Sequence, residues 1–380
     1  MSDKNRVIYQ SQAVYAGRDK NAAGDTGWQS ESGSVSARPK QLKRVQSANY
    51  GFDIARTDVN QFGELAAIDR IILESPTVNF DSSWYMCNFY NEDVIGLTIN
   101  SGVESSSANF SGLLTDILTN GADERNYYVR VGKDGDDMKD VITGGGDTDN
   151  AGDNAVIGIG NAFLSNWTCE AAVGGFPTAS ITVEALNIKF DRNADGSATG
   201  TIPGINAANG SALDKVYRLS GYMSSGESTN LTTVIKPGDV TFTLPNTQGG
   251  ADYANMHIQS FNCSVDLARE PINKLGSRFA FARVISFPIT ASLSVDAIMS
   301  ESSAGNLVDI VDNYTNQEII VHMKSGSDPH MNIVMKKAKL DSQSFSQGIG
   351  DNETVTLNWS AQIGSSGATD VGLFLSGNHD

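Results

Sequence analysis

The sequence predicts a mainly β protein built from two duplicated β-sandwich or barrel domains in tandem, each with one short flanking α-helix. Three observations carry this. Short apolar runs alternate with polar residues and are separated by clusters of Gly, Ser, Asn and Asp, with 38 glycines in all. A long segment recurs without a gap later in the chain. Each copy then switches from a period of two to a helical period at the corresponding place. With 380 residues, 39% hydrophobic and only 19% charged, the chain has an ordinary globular balance and enough length for two cores.

The repeat begins at VQSANYGFDIAR (Val45–Arg56) and IQSFNCSVDLAR (Ile258–Arg269). Identities continue through Asn60/Asn273, Gly63/Gly276, Ala67/Ala280, Arg70/Arg283, Thr77/Thr290 and Met86/Met299. In the first copy Tyr50, Phe52 and Ile54 alternate with Asn49, Gly51 and Asp53. In the second, Cys263, Val265 and Leu267 alternate with Asn262, Ser264 and Asp266. This is the pattern of a half-buried strand, so both strands are expected to sit alike on a core. A second strand pair follows, with Val78, Phe80, Trp84 and Met86 matching Ala291, Leu293, Ala297 and Met299.

Helices are expected next. SGLLTDILTNG places Leu113, Leu114, Ile117 and Leu118 on one face, with Ser111 as N-cap and Asn120-Gly121 as the stop. Leu307, Ile310 and Val311 offer the same period in the second copy. A strand over Tyr127–Gly135 matches one over Ile319–Gly326. Further on, Ile157, Ala162, Leu164, Gly174 and Thr178 match Ile333, Ala338, Leu340, Gly350 and Thr354. A weaker likeness pairs Arg6–Gly17 with Lys215–Gly226. The expected domains are 1–200, with a polar N-terminal arm and an acidic insertion loop at 135–154, and 201–380.

Chemistry is sparse. The net charge of −17 opposes binding of nucleic acid through phosphate contacts. Cys87, Cys169 and Cys263 are far apart and read as reduced thiols of a protein folded inside a cell. The start has no apolar h-region, and no apolar run is long enough to insert in a membrane. The four histidines are scattered, no G-x-S-x-G occurs, and Gly144-Gly145-Gly146 runs into acids rather than GK[ST]. No catalytic residue, cofactor or acid–base pair is expected, and the chain reads as a non-enzyme. Asp191, Asn193 and Asp195 have the D-x-N-x-D-G spacing of a calcium loop, but Ile202 stands where a bidentate Glu is needed. A boundary turn is the alternative. The acidic run Asp134, Asp136, Asp137, Asp140 reads either as a solvated loop or as an inter-subunit contact for the basic cluster Arg38, Lys40, Lys43, Arg44.

The stretch Arg44–Met86, with its N-Y-x-F-D-I-x-R-x-D-V-N-Q-F-G run followed by I-D-R and E-x-P-T-V, resembles the tail tube proteins of tailed bacteriophages. LAREPINKLG and RVISFPITASLSV in the second copy look like a drifted version of the same unit. The resemblance implies tail-tube-like domains whose sheets join around a ring, with rings stacking into a hollow virion tube. Such a tube is assembled in the host cytoplasm and would contact tape-measure, tail-tip and terminator proteins. Duplex DNA would pass through it without specific binding. Two domains per chain imply a trimeric ring with pseudo-sixfold symmetry. Asn49, Asp53, Asn262 and Asp266 then either line the channel or face outward. A tail-tip or terminator ring, a calcium-dependent adhesin and a cell-wall hydrolase are the competing readings.

Overall fold

The computed structural model describes residues 12–18, 39–102, 110–119, 123–132, 154–193, 199–201, 216–218, 234–244, 256–276, 279–280, 282–298, 316–325, 328–347 and 352–377. Its strands, in chain order, are β1 (Gln12–Arg18), β2 (Lys40–Gln41), β3 (Val45–Asp53), β4 (Thr57–Val59), β5 (Asp69–Ile71), β6 (Thr77–Tyr85), β7 (Ile99–Asn100), β8 (Glu124–Val131), β9 (Asn154–Ala172), β10 (Thr178–Ala185) and β11 (Asn187–Asn193). They continue with β12 (Thr199–Thr201), β13 (Val216–Arg218), β14 (Val240–Thr243), β15 (His257–Asp266), β16 (Arg269–Ile272), β17 (Ala282–Ile285), β18 (Thr290–Ile298), β19 (Gln317–Ser325), β20 (Asp328–Ser346), β21 (Thr354–Gln362) and β22 (Gly372–Gly377). Two short helices, α1 (Tyr90–Ile95) and α2 (Thr115–Thr119), and a 3-10 turn at Pro237–Asp239 complete the described elements.

The backbone of the molecule is an antiparallel run in the order β3-β6-β10-β9-β15-β18-β21-β20. Its first four strands come from the N-terminal half and its last four from the C-terminal half. Strand for strand, β3, β6, β10 and β9 correspond to β15, β18, β21 and β20. The registers correspond as well. Val45 pairs with Trp84, and the repeat partners Ile258 and Ala297 pair likewise, each pair lying beside a β-bulge at Gln46 or Gln259. Thr178 pairs with Tyr85, as Thr354 pairs with Ile298. A further bulge leaves out Ser165 in β9 and Asp341 in β20. Bulges bend and twist a strand locally, so their coincidence gives both halves the same curvature.

The 19-residue strands β9 and β20 each serve two layers. The N-terminal part of β9 runs between β8 and β11, and its C-terminal part between β10 and β15. In β20 the N-terminal part runs between β19 and β22, and the C-terminal part pairs with β21. Each strand changes layer near a residue with positive φ, Asn161 at 51° and its repeat partner Lys337 at 55°. Asn is among the residues that visit this region more readily; Lys337 occupies it without that advantage. The layers meet in the core. Phe80 of β6 lies 4.9 Å from Tyr127 of β8, Phe242 of β14 lies 5.4 Å from Phe261 of β15, and the Trp359 indole donates to Gln317 Oε1 at 3.1 Å. Fully buried Trp84, Trp167 and Trp359 are among the largest side chains there.

The structure departs from the sequence reading at several points. Residues 12–18 are not part of a polar arm. Ala13, Val14, Tyr15 and Ala16 are buried, and β1 pairs with β8 in the layer packed against the eight-strand run. Its counterpart is β14, which pairs with β19 at the corresponding register, not the 215–226 segment, whose β13 pairs with β12. Leu113, Leu114 and Ile117 are buried as expected, but α2 starts at Thr115. Ser111 does not cap it; the Thr98 hydroxyl accepts the Asp116 N–H at 2.9 Å instead. The preceding α1 was not foreseen. It ends at Gly96, with φ of 104°, where a Cβ would meet the Arg125 guanidinium at 2.5 Å. The second-copy helix at Leu307, Ile310 and Val311 lies outside the described residues.

Candidate functional site: a polar sheet face between two unpaired edges

Alternation along the eight-strand run sends one set of side chains into the core and the other to the opposite face. The outward set is almost entirely hydroxyl, amide and carboxylate. Asn49, Asp81, Thr182, Asn166 and Asp266 are register neighbours across five strands. A second row runs Thr178, Glu170, Asn262, Ser294, Asn358, Ser342. Asn49, Asp53, Asn262 and Asp266 are all exposed on this face. The structure therefore brings the four residues onto one continuous surface, the second pair being carried by the strand equivalent to that of the first.

Sequence reasoning missed the rest of that surface. Asp81, Glu170, Glu184 and Asp296 are on it, and Lys339, next to Ser360, is a base on the same face at the β20 end. The signal was present, since each acid occupies a polar position of a period-two strand. The face is internally bonded. Asp296 accepts from Ser260 Oγ at 2.7 Å and Thr356 Oγ1 at 2.6 Å, Asn358 Nδ2 donates to Ser342 Oγ at 2.8 Å, and the Ser47 and Ser83 hydroxyls are 2.6 Å apart. Short side chains held by their neighbours make a smooth surface with fixed negative charge. Such a surface repels a polyanion and offers it few bases to pair with.

The middle of the run is the β9–β15 junction, from Ser260↔Ala172 to Asp266↔Asn166. It is pinned by charge. The Arg269 guanidinium is fully buried, makes two 2.6 Å bonds to the Asp123 carboxylate, and donates through Nε to the Leu164 carbonyl at 2.9 Å. Arg283 on β17 pairs with Glu184 on β10. At the two ends, β3 and the C-terminal part of β20 each have one strand neighbour among the described residues.

Two hairpins project from the run at matching places, β4–β5 and β16–β17. Phe62 and Leu65 at the first tip and Leu275 at the second are fully exposed, with Gly63 and Gly276 both at positive φ.

The remaining sequence candidates are placed elsewhere. Lys43 Nζ sits 3.7 Å and Lys40 Nζ 5.8 Å from the centre of the Tyr90 ring, and Arg44 Nη1 lies 3.0 Å from Cys87 Sγ, all within the chain. Arg38, Asp134, Asp136, Asp137, Asp140 and most of the 135–154 insertion lie outside the described residues. Asp191 and Asn193 are in extended β11, paired with Val156 and Asn154, and the Asp191 carboxylate is 3.7 Å from Lys189 Nζ. An extended strand does not curl its oxygens around one cation as a calcium loop does. Asp195 is outside the described residues. Among the described residues no group of three or more His, Cys, Asp or Glu is placed to hold a metal ion. The three cysteines are buried and free; burial pushes the Cys263 thiol up to about 12 and raises Cys87 and Cys169 too, which keeps them unreactive.

No protein-family model matches the chain, and no curated protein matches its sequence.

Proposed function

We propose that the chain is a structural virion protein, the repeating subunit of a phage-type tail tube. It carries two duplicated tail-tube-like domains, and three chains make a ring with pseudo-sixfold symmetry. The observation that carries the reading is the eight-strand run. Two units with the same strand order and the same bulges are joined edge to edge, and the run ends in the same two kinds of edge that its own middle joins. The resemblance of Arg44–Met86 to tail tube proteins points the same way.

The dimensions suit a conduit. Three copies supply roughly 24 strands, and strands spaced about 4.8 Å apart and tilted by about 40° close at a circumference on the order of 150 Å. The backbone diameter is then about 48 Å, leaving a channel wide enough for duplex DNA after side chains are added. The core-facing side of the run is already covered by the second layer, so the polar face is the one left for the lumen. Its carboxylates, including Asp53 and Asp266, would keep phosphates in motion along the channel instead of binding them. Ring closure also removes sheet edges, which left open invite aggregation. The apolar hairpin tips at Phe62, Leu65 and Leu275 then serve contacts between successive rings. Tape-measure, tail-tip and terminator proteins are the expected partners, and the protein acts in the virion tail without catalysis.

Electron microscopy of the purified protein tests the reading. Hollow tubes of stacked rings are the expected result. Single rings that never stack would move the protein to a tube terminator, and monomers at every concentration would overturn the tube.

A further inference from the structure

Strands β3 and β15 carry the same pattern but are buried differently. Cys263, Val265 and Leu267 are fully buried, because β9 lies along the outer edge of β15. Their counterparts on β3 are Tyr50, Phe52 and Ile54, and Phe52 is 59% exposed. The same contrast holds on the other side of the junction. Cys169 of β9 is fully buried, whereas its counterpart on β20, Phe345, is 46% exposed. Each end of the run thus presents an apolar side chain at a position that the internal junction covers. Arg56, the repeat partner of Arg269, is also exposed.

From this we infer that the β3 edge of one copy pairs antiparallel with residues 342–346 of β20 in the next copy, in the register of the internal β9–β15 junction. The inference rests on the tube reading and adds to it the residues that meet. Carrying each pair of the internal junction across the repeat sets Asp53 opposite Ser342, Phe52 opposite Gln343, Gly51 opposite Ser344, Tyr50 opposite Phe345 and Asn49 opposite Ser346. Internally these positions are Asp266↔Asn166, Val265↔Trp167, Ser264↔Thr168, Cys263↔Cys169 and Asn262↔Glu170. The exposed aromatics Phe52 and Phe345 fall on the core side of the new junction, where Tyr50 and Phe345 form a cross-strand pair. Beyond the strands, Ile54 N–H would donate to the Asp341 carbonyl as Leu267 N–H donates to Ser165 at 2.7 Å. Arg56 would reach the Leu340 carbonyl as Arg269 reaches Leu164. No acid stands in the Asp123 position of the second unit, where the sequence has Thr315, so this Arg meets its neighbour without a bidentate partner. The bulges at Gln46 and Asp341 match those at Gln259 and Ser165, so the two edges have the curvature of the strands already joined.

The phase of the hydrogen bonds follows too. Leu267 N–H to Ser165 and Val173 N–H to Gln259 mark the hydrogen-bonded pairs, so Asn262 and Glu170 form a non-hydrogen-bonded pair. Such pairs have Cα atoms about 4.5 Å apart, within disulfide range. The test is therefore Asn49→Cys combined with Ser346→Cys, two exposed positions, in the full chain under mild oxidation by oxidised glutathione. The two thiols each lose a proton and share one S–S bond, and the two electrons reduce glutathione disulfide. Covalent trimers on a non-reducing gel are expected, with Asn49→Cys plus Ser344→Cys, displaced by two residues, giving at least tenfold less. Trimers from the displaced pair instead would overturn the register while leaving the tube intact. Intact tubes of the double variant with no crosslink from either pair would overturn the edge pairing altogether. A wild-type chain that stays monomeric by light scattering would overturn the tube reading and this inference with it.

Discussion

Glu92 is a buried carboxyl whose titration couples to folding. It is fully buried in α1, accepts from the Trp84 indole at 3.1 Å, and is pushed up to about 7 from 4.5 by burial, against the opposing pull of its own backbone amide and of the Trp84 and Trp167 indoles. The folded chain therefore holds a proton between about 4.5 and 7 that the unfolded chain has released. Stability from this group is full below that window, falls as pH rises through it, and is level above. Glu92→Gln is expected to raise unfolding free energy by roughly 3 kcal/mol at pH 8 and by little at pH 4, measured by urea titration. A gain equal at both pH values would contradict a buried ionisable Glu92. Arg269 tests the internal junction: Arg269→Ala removes three charge-assisted or buried bonds and is expected to cost about 2–3 kcal/mol in the same measurement. The sequence marked Arg269 only as a repeat identity. Its partner Asp123 is remote in sequence and could not be read from spacing.

At the scale of elements, the strands were largely legible because each carries one apolar and one polar face. β3, β6, β15 and β18 all fall where alternation put them. What alternation could not give was the exposure of Phe52, which follows from β3 having a single strand neighbour among the described residues. α1 was hidden for a different reason: its buried positions include Asn91 and Glu92, so it has no apolar stripe to detect. β1 was hidden inside a polar setting because only Ala13–Ala16 face the interior. The hairpins were seen as identities around Gly63 and Gly276 and not as projections. Replacing Phe62 and Leu65 together with Ser is expected to leave the fold unchanged by circular dichroism, since both are fully exposed. Rings should still form, but tube length by electron microscopy should collapse. Normal tubes would show that the tips take no part in stacking.

At the scale of the whole molecule, the proposed ring takes each chain as two-sixths of a closed barrel. The run has one internal β9–β15 junction and, among the described residues, two edges with a single strand neighbour, so closing that ring would need only copies of the chain. The net charge of −17 fits a wall that must not hold its cargo, and the placement of acids on the polar face gives that charge a direction. Alternating polarity made the face foreseeable for Asn49, Asp53, Asn262 and Asp266. Its extent was not, because strand order decides which polar positions adjoin. The most direct measurement is a cryo-EM reconstruction of the assembled particle. Three chains and six similar lobes per ring, with strands continuous from residue 53 of one chain to residue 342 of the next and acids toward the channel, is the result expected. Six chains per ring, or the polar face turned outward, would contradict it.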